Sequence, residues 1–347
     1  MDLFKMKWWG TRGNADAPPM LEADDAVAYR VACCIALIAI AVAIPAALVA
    51  DSRVARALTE SHARALDAVV QNTAQFLSAG LNTRVRDARA LSRTPVIRNP
   101  SPSAQDKRAA LEDFRYRSPD FVWVAYIDTH TGLIVAATGG AEEGVTAAGQ
   151  PVFEEGRQGS FVGPVHEVRE LAQARGDSAD PVDRLFVDVG VPVLSAQGET
   201  VGVIAAVLEW RWAEQIRQHT QVPGIETLVV DLSGQVILGR DRVAPPTLLA
   251  EITHRQFPQG ATRVRWPEAG EQLTAIAPAS ANGPYPTLGW RVVAHEPMRE
   301  INAAARQVGL WVALSCALVG AISAMLVVVL LRRRAATRRW HKADQPG

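Results

Sequence analysis

Residues 184–208 read RLFVDVGVPVLSAQGETVGVIAAVL. Apolar, mostly β-branched residues run from Arg184 to Leu194, Gln197-Gly198 turns the chain, and Thr200–Leu208 runs back. Such runs around a glycine turn predict a hairpin of two long strands. Upstream, Phe121–Asp128 (FVWVAYID) and Leu133–Ala137 (LIVAA) flank Thr131-Gly132 and predict a second hairpin. Downstream, Trp210–His219 (WRWAEQIRQH) has the pattern of a short helix leaving the sheet. The strand pattern then restarts with Gly224–Asp231, a turn at Ser233-Gly234, Gln235–Leu238, Arg263–Trp266, Gln272–Ala277 and Leu288–His295. The pair VVDLSGQVIL (229–238) repeats VAYIDTHTGLIVAA (124–137) in kind: apolar strand, aspartate, polar residue, glycine, apolar strand. That self-similarity predicts two small α+β units in tandem, each built on an antiparallel sheet.

Ahead of the strands, residues 52–93 carry apolar side chains at helical spacing: Val54, Leu58, Leu66, Val70, Leu77, Leu81, Val85 and Leu91. The stretch predicts one helix of about 60 Å, stopped by Pro95 and weakened at Gly80 by about 1 kcal/mol relative to alanine. Its narrow stripe suits packing on its own domain and also pairing with a second copy, a homodimer. Residues 166–183 are polar and predict an exposed excursion. Met298–Gln307 predicts a helix.

Val31–Ala50 (VACCIALIAIAVAIPAALVA) and Val308–Leu331 (VGLWVALSCALVGAISAMLVVVLL) contain no charged residue. Each reaches the roughly 20 residues that cross a bilayer as a helix. The first block has a second reading, since Pro45-Ala46-Ala47-Leu48-Val49-Ala50 resembles a signal-peptide cleavage site. Against it stand the length of the block and the acidic Asp2, Asp16, Glu22, Asp24 and Asp25 before it. Arg332, Arg333, Arg334, Arg338, Arg339 and Lys342 mark the cytoplasmic side of the second block. The expected order is a flexible cytoplasmic tail at 1–30, a first transmembrane helix at 31–50 and a long extracytoplasmic helix at 51–94. A membrane-distal unit at 95–221, a membrane-proximal unit at 222–300, a second transmembrane helix at 308–331 and a basic tail at 332–347 follow. Residues 51–307 then lie outside a cell's inner (plasma) membrane. Ala313, Ala317 and Ala321 are spaced for close helix contact, and the basic tail suits contact with anionic membrane lipid.

The 36 basic and 36 acidic residues cancel, so composition offers nucleic acid no basic footprint. All three cysteines, Cys33, Cys34 and Cys316, fall in the apolar blocks. The segment between can hold neither a disulfide nor a cysteine zinc site. No phosphate-binding or nucleophile-elbow motif is present. His166-Glu167 and His295-Glu296 begin like a zinc-protease helix but lack the second histidine. These features predict no enzyme, no metal and no cofactor.

Residues 52–300 resemble the double Cache sensor domain of bacterial transmembrane receptors, a long helix followed by two tandem PAS-like sheets. Three segments carry the resemblance: Val122–Ala137; Gly149–Pro164 (GQPVFEEGRQGSFVGP), similar to the family's Gly-x-x-Tyr/Phe-x-x-Ala-x-x-Gly stretch; and Val187–Trp212, similar to its Pro-Val…Gly…Gly-Val-Ile ending. The resemblance implies an α+β fold and a ligand pocket on the membrane-distal sheet, at Trp123, Tyr126, Phe153, His166 and Asp188. Trp123 and Tyr126 are an odd number apart and so belong to opposite faces of a strand. Phe153 also reads as core, and Asp188 as a residue of an exposed face. Amino-acid-binding members carry Arg-x-Trp-Tyr and a strand-end aspartate where this chain has Gln150-Pro151-Val152-Phe153 and Val207, which argues against an α-amino acid ligand. Only 16 residues follow Leu331, with no cytoplasmic output domain among them. The expectation is therefore a sensor that passes a small-molecule signal to a separate signalling protein. The alternatives are an envelope interaction protein with a vestigial pocket, or a receptor remnant.

Overall fold

The computed structural model describes residues 20–168, 181–239, 260–267, 269–279 and 289–343. Residues 1–19, most of the polar excursion (169–180) and Leu288 lie outside them. Contacts divide the chain into two compact units, Met1–Leu58 with Glu300–Gly347, and Thr59–Arg299.

The first unit contains the start of α1 (Met20–Ser92) and most of the C-terminal helix (Met298–Ala343). α1 continues through Pro45 without a break and already includes residues 20–30, which the sequence assigns to a flexible tail. Both helices are long and apolar enough to cross a membrane. Leu37, Ile38, Leu48, Leu314, Leu318 and Ile322 stay exposed on them. Glycines mark where the two helices approach each other. A Cβ on Gly309 would lie 3.2 Å from Asp51 Cβ, and one on Gly320 would lie 2.4 Å from Ala39 Cβ. Ala317 and Ala321 are exposed. Within this unit the close approach is made at these two glycines, because glycine lets two backbones come close.

In the second unit α1 is followed by α2 (Pro95–Arg98), α3 (Ala104–Arg117), β1 (Phe121–Asp128), β2 (Ile134–Ala137), α4 (Pro151–Glu154), β3 (Phe161–Glu167), β4 (Leu185–Leu194), β5 (Thr200–Glu209) and α5 (Arg211–His219). β6 (Glu226–Val230), β7 (Val236–Leu238), β8 (Thr262–Trp266), β9 (Gly270–Pro278) and β10 (Arg291–Pro297) complete it. The first sheet has strand order β2-β1-β5-β4-β3 and the second β7-β6-β10-β9-β8. The same topology twice is the internal repeat in physical form. Even the turn chemistry recurs. Asp128 Oδ1 accepts from the backbone of His130 (3.1 Å) and Thr131 (2.9 Å). Asp231 Oδ1 accepts from the backbone of Ser233 (2.8 Å) and Gln235 (2.9 Å). An aspartate that bonds the backbone ahead of it folds each hairpin locally, and Gly132 and Gly234 supply the positive φ that each turn needs.

The sequence-level weak point, Gly80, has a packing role. A Cβ there would sit 2.9 Å from Trp212 Cζ3, so the missing side chain seats the indole of α5 against α1. At the far end of α5, Thr73 Oγ1 donates to Thr220 Oγ1 at 2.8 Å. His166-Glu167 and His295-Glu296 lie in strands β3 and β10, not in helices. His166 and Glu167, expected in an exposed excursion, thus belong to β3 instead. His295 is buried against Trp266, with ring centroids 3.9 Å apart.

Candidate functional site

The register of the first sheet decides which candidates meet. Trp123 pairs with Val207, and Val207 with Asp188. Cross-strand partners share a face, so these three form one row across β1, β5 and β4. The next row contains Ala125, Ala205 and Gly190, and the one after it Ile127 and Val203. Phe153 of α4 packs on this face in a cluster with Ala125, Ile127, Val203 and Ala205, and Trp123 lies at its margin. A backbone contact holds α4 there. A Cβ on Gly190 would fall 2.4 Å from Val152 O and 3.1 Å from Gly156 Cα. Two glycines therefore let the turn after α4 lie directly on β4.

His166 of β3 joins the same face. Its Nδ1 donates to Pro164 O at 3.1 Å, which places that proton, and its Nε2 is 3.7 Å from Asp188 Oδ2. A carbonyl can only accept, so Nε2 carries a proton only in the imidazolium form. Burial pushes the Asp188 carboxyl up from its ordinary value, and the neighbouring His166 opposes that shift. The Asp188 side chain remains 33% exposed and that of His166 36%. Trp123 and Val207 are half-buried, whereas Ala125, Ala205, Gly190, Ile127 and Val203 in the next two rows are buried. The result is an open patch with an indole wall, a carboxylate and an imidazole. Gly163, whose missing Cβ would be 3.4 Å from Asp188 Cβ, leaves room beside the carboxylate.

Tyr126 is on the opposite face, as the odd spacing required. It is buried, with Lys107 Nζ 4.6 Å from the ring centroid and its hydroxyl donating to Val201 O at 3.3 Å. Lys107 itself, which no local sequence pattern marks, donates to three carbonyls, those of Val96 (2.9 Å), Ile97 (3.0 Å) and Asn99 (2.8 Å). It closes the end of α2, so Tyr126 belongs to a structural pair and not to the open patch. Burial raises the Tyr126 phenol to about 12 from 10.0. The native state then holds this proton more tightly than the unfolded chain does. Its contribution is complete below about pH 10 and is lost as pH rises through about 12. Over that window the protein is expected to lose about 2–3 kcal/mol more than Tyr126→Phe does, as measured by denaturant midpoints at matched pH. Equal losses would show that the phenol is not held neutral.

No protein-family model and no curated protein matches the sequence. The tandem sheets under one long helix form the fold of double Cache sensory domains, the ligand-binding domains of bacterial chemoreceptors. The sensory domain of the Campylobacter jejuni chemoreceptor Tlp3 matches 72% of this chain and 99% of its own, with a TM-score of 0.55 and 13% identity. The same domain in complex with L-valine gives a TM-score of 0.53 over 72% of this chain and 97% of its own, at 13% identity. The ligand-binding domain of the Pseudomonas aeruginosa PAO1 amino acid chemoreceptor PctC, in complex with GABA, gives 0.51 over 68% and 99%, at 17% identity.

Proposed function

We propose that this chain is a membrane-anchored, two-pass extracytoplasmic sensor. It binds a small molecule on the α4 face of the first sheet and hands a conformational signal to a separate partner protein. The observation that carries the reading is the half-open row of Trp123, Val207 and Asp188, with His166 beside it, next to the packed rows of Ala125 and Ile127. A pocket with an aromatic wall and a few placed polar groups is the usual form of a small-molecule site. The two apolar helices that bracket the sheets support the anchor, and the fold shared with chemoreceptor domains supports the sensor role.

The chemistry of the row favours a ligand with a cationic nitrogen. Val207 stands where amino-acid-binding members of the resembled family carry an aspartate, and its register partner Asp188 brings a carboxylate to the same row one strand over. A partly buried carboxylate costs desolvation energy that an incoming ammonium offsets. The Arg157 guanidinium, 5.9 Å from the Phe153 ring, is paired with Glu154 at 2.8 Å. A ligand carboxylate therefore has less to meet, and a simple amine suits the row better than an α-amino acid. On α1, Ala65, Ala68, Asn72, Gln75 and Ala79 are exposed at alternating spacings of three and four residues. That is the period of a coiled-coil seam, here without bulky side chains, and it supports a homodimer through the helix.

The test is a thermal-shift screen of the full chain in lipid nanodiscs against amines, amino acids, carboxylates and sugars. A bound ligand raises the melting temperature by mass action. The expected hit is an amine whose affinity falls at least tenfold in Asp188→Asn. A hit that Asp188→Asn leaves unchanged, or hits confined to carboxylates and sugars, would overturn the assignment.

A further inference from the structure

A second opening lies away from the sheet face, between α1 and α5. It has a volume of about 460 Å³ and is lined by Phe76, Arg84, Trp212, Ile216, His219 and Thr220, with Gln215 at its side. That volume falls within the ordinary range for small-molecule sites. Phe76 is 56% exposed, the one large apolar side chain so displayed among the described residues of α1 in this unit. Most of the wall is therefore apolar.

Two hydrogen-bond donors in the lining lack acceptors. Trp212 is 2% exposed, yet its indole Nε1 has no partner, and Arg84 Nε is likewise buried and unpaired. Buried donors are almost always satisfied, and leaving one unmade is costly. The rest of Arg84 is engaged: one terminal nitrogen donates to Gly80 O at 3.0 Å and the other to Asp120 Oδ2 at 2.6 Å. Its guanidinium lies over the Trp212 ring, 4.4 Å from the centroid. The two orphan donors thus belong to neighbouring side chains that both line the groove.

We infer that this groove is a second ligand site, for a molecule with an apolar body and one oxygen acceptor, a carboxylate or a carbonyl. The body lies against Phe76 and Ile216. The oxygen accepts from Trp212 Nε1 and Arg84 Nε. The guanidinium disfavours a cationic head, so the groove and the Asp188 row select opposite ligand chemistries and do not compete.

The experiment titrates the full chain in phosphatidylcholine nanodiscs, by calorimetry, with three probes that share a phenylalkyl body: 4-phenylbutyrate, 4-phenyl-2-butanone and 4-phenylbutylamine. Binding of the acid or the ketone is expected, with the amine, titrated into Asp188→Asn so that the sheet row does not contribute, at least tenfold weaker. The stronger of the first two identifies carboxylate or carbonyl as the acceptor. Trp212→Phe keeps an aromatic side chain but removes the N–H together with the five-membered ring, and Phe76→Ala alters an exposed side chain. Each is expected to weaken the bound probe at least fivefold, while Asp188→Asn leaves it unchanged. No binding by either oxygen probe, or binding that Trp212→Phe and Phe76→Ala leave intact, overturns the assignment. So does loss in Asp188→Asn, which would move the probe to the sheet. Quantitative disulfide dimerisation of Phe76→Cys in the absence of probe, with no binding by the unmodified chain, would assign the groove to a second copy instead.

Discussion

Trp210→Ala is expected to lower the melting temperature by roughly 6–20 °C. Trp210 follows β5 directly and is fully buried. Its Nε1 donates to Ile237 O at 3.0 Å, in the second sheet's hairpin. Its ring meets Trp290 edge-on at 4.6 Å and Trp212 at 5.5 Å. One side chain therefore joins the end of the first sheet to the beginning of the second. Truncating a buried tryptophan costs about 3–5 kcal/mol, and a unit of this size shifts by about 2–4 °C per kcal/mol. Trp210→Phe preserves much of the packing but strands the Ile237 carbonyl, at a cost of about 1–3 kcal/mol. Near-ultraviolet circular dichroism during heating reads both. A shift under about 2 °C for the alanine variant, less than a single kcal/mol produces, would mean that the sheets are joined elsewhere.

Gly190→Val is expected to detach α4 from the sheet. The new Cβ meets the carbonyl of Val152 at 2.4 Å, and that atom is backbone, with no rotamer to escape into. Overpacking of this kind costs about 1–3 kcal/mol, and more where the neighbour cannot give. The α4 turn is held by Phe153 N–H to Gln150 O (3.0 Å) and Arg157 N–H to Phe153 O (3.0 Å). Hydrogen exchange at these amides is expected to accelerate at least tenfold, and amine binding at the Asp188 row to be lost with it. Gly198→Ala is the control: its φ is +89° but its Cβ would meet nothing within 4 Å, so it bears only the left-handed backbone cost. Equal behaviour of the two variants would show that the glycine contact does not hold the site.

The hairpins were legible because each carries its own instructions, apolar strands around an aspartate and a glycine. Their repetition disclosed the tandem plan before any contact was known. What stayed hidden depended on distant partners. β3 contains Gly163 and Pro164 and has a register shift between Val162 and Val165, so it lacks a clean strand pattern; proline is tolerated because β3 is an edge strand. α3 is mostly polar and shows no apolar stripe that would mark it, although Ser103 and Asp106 form a capping box, a local start signal. α4 has only four residues, too few for periodicity. For the site, the odd spacing of Trp123 and Tyr126 was enough to put them on separate faces. The meeting of Asp188, Val207 and Trp123 requires the register of three strands, which no local pattern encodes. The orphan N–H of Trp212 is equally invisible until the fold shows what surrounds it.

The bare Cα at position 80 also has a mechanical meaning. With the Trp212 ring sunk into that gap and Arg84 clasping it from above, the two helices are keyed together like a pin in a socket. Gliding one past the other would first require the ring to climb out, whereas pivoting about it disturbs little. Spin-label distances across this joint are therefore expected to change by rotation on ligand addition; a uniform axial offset at every label pair would show that the pin does not hold.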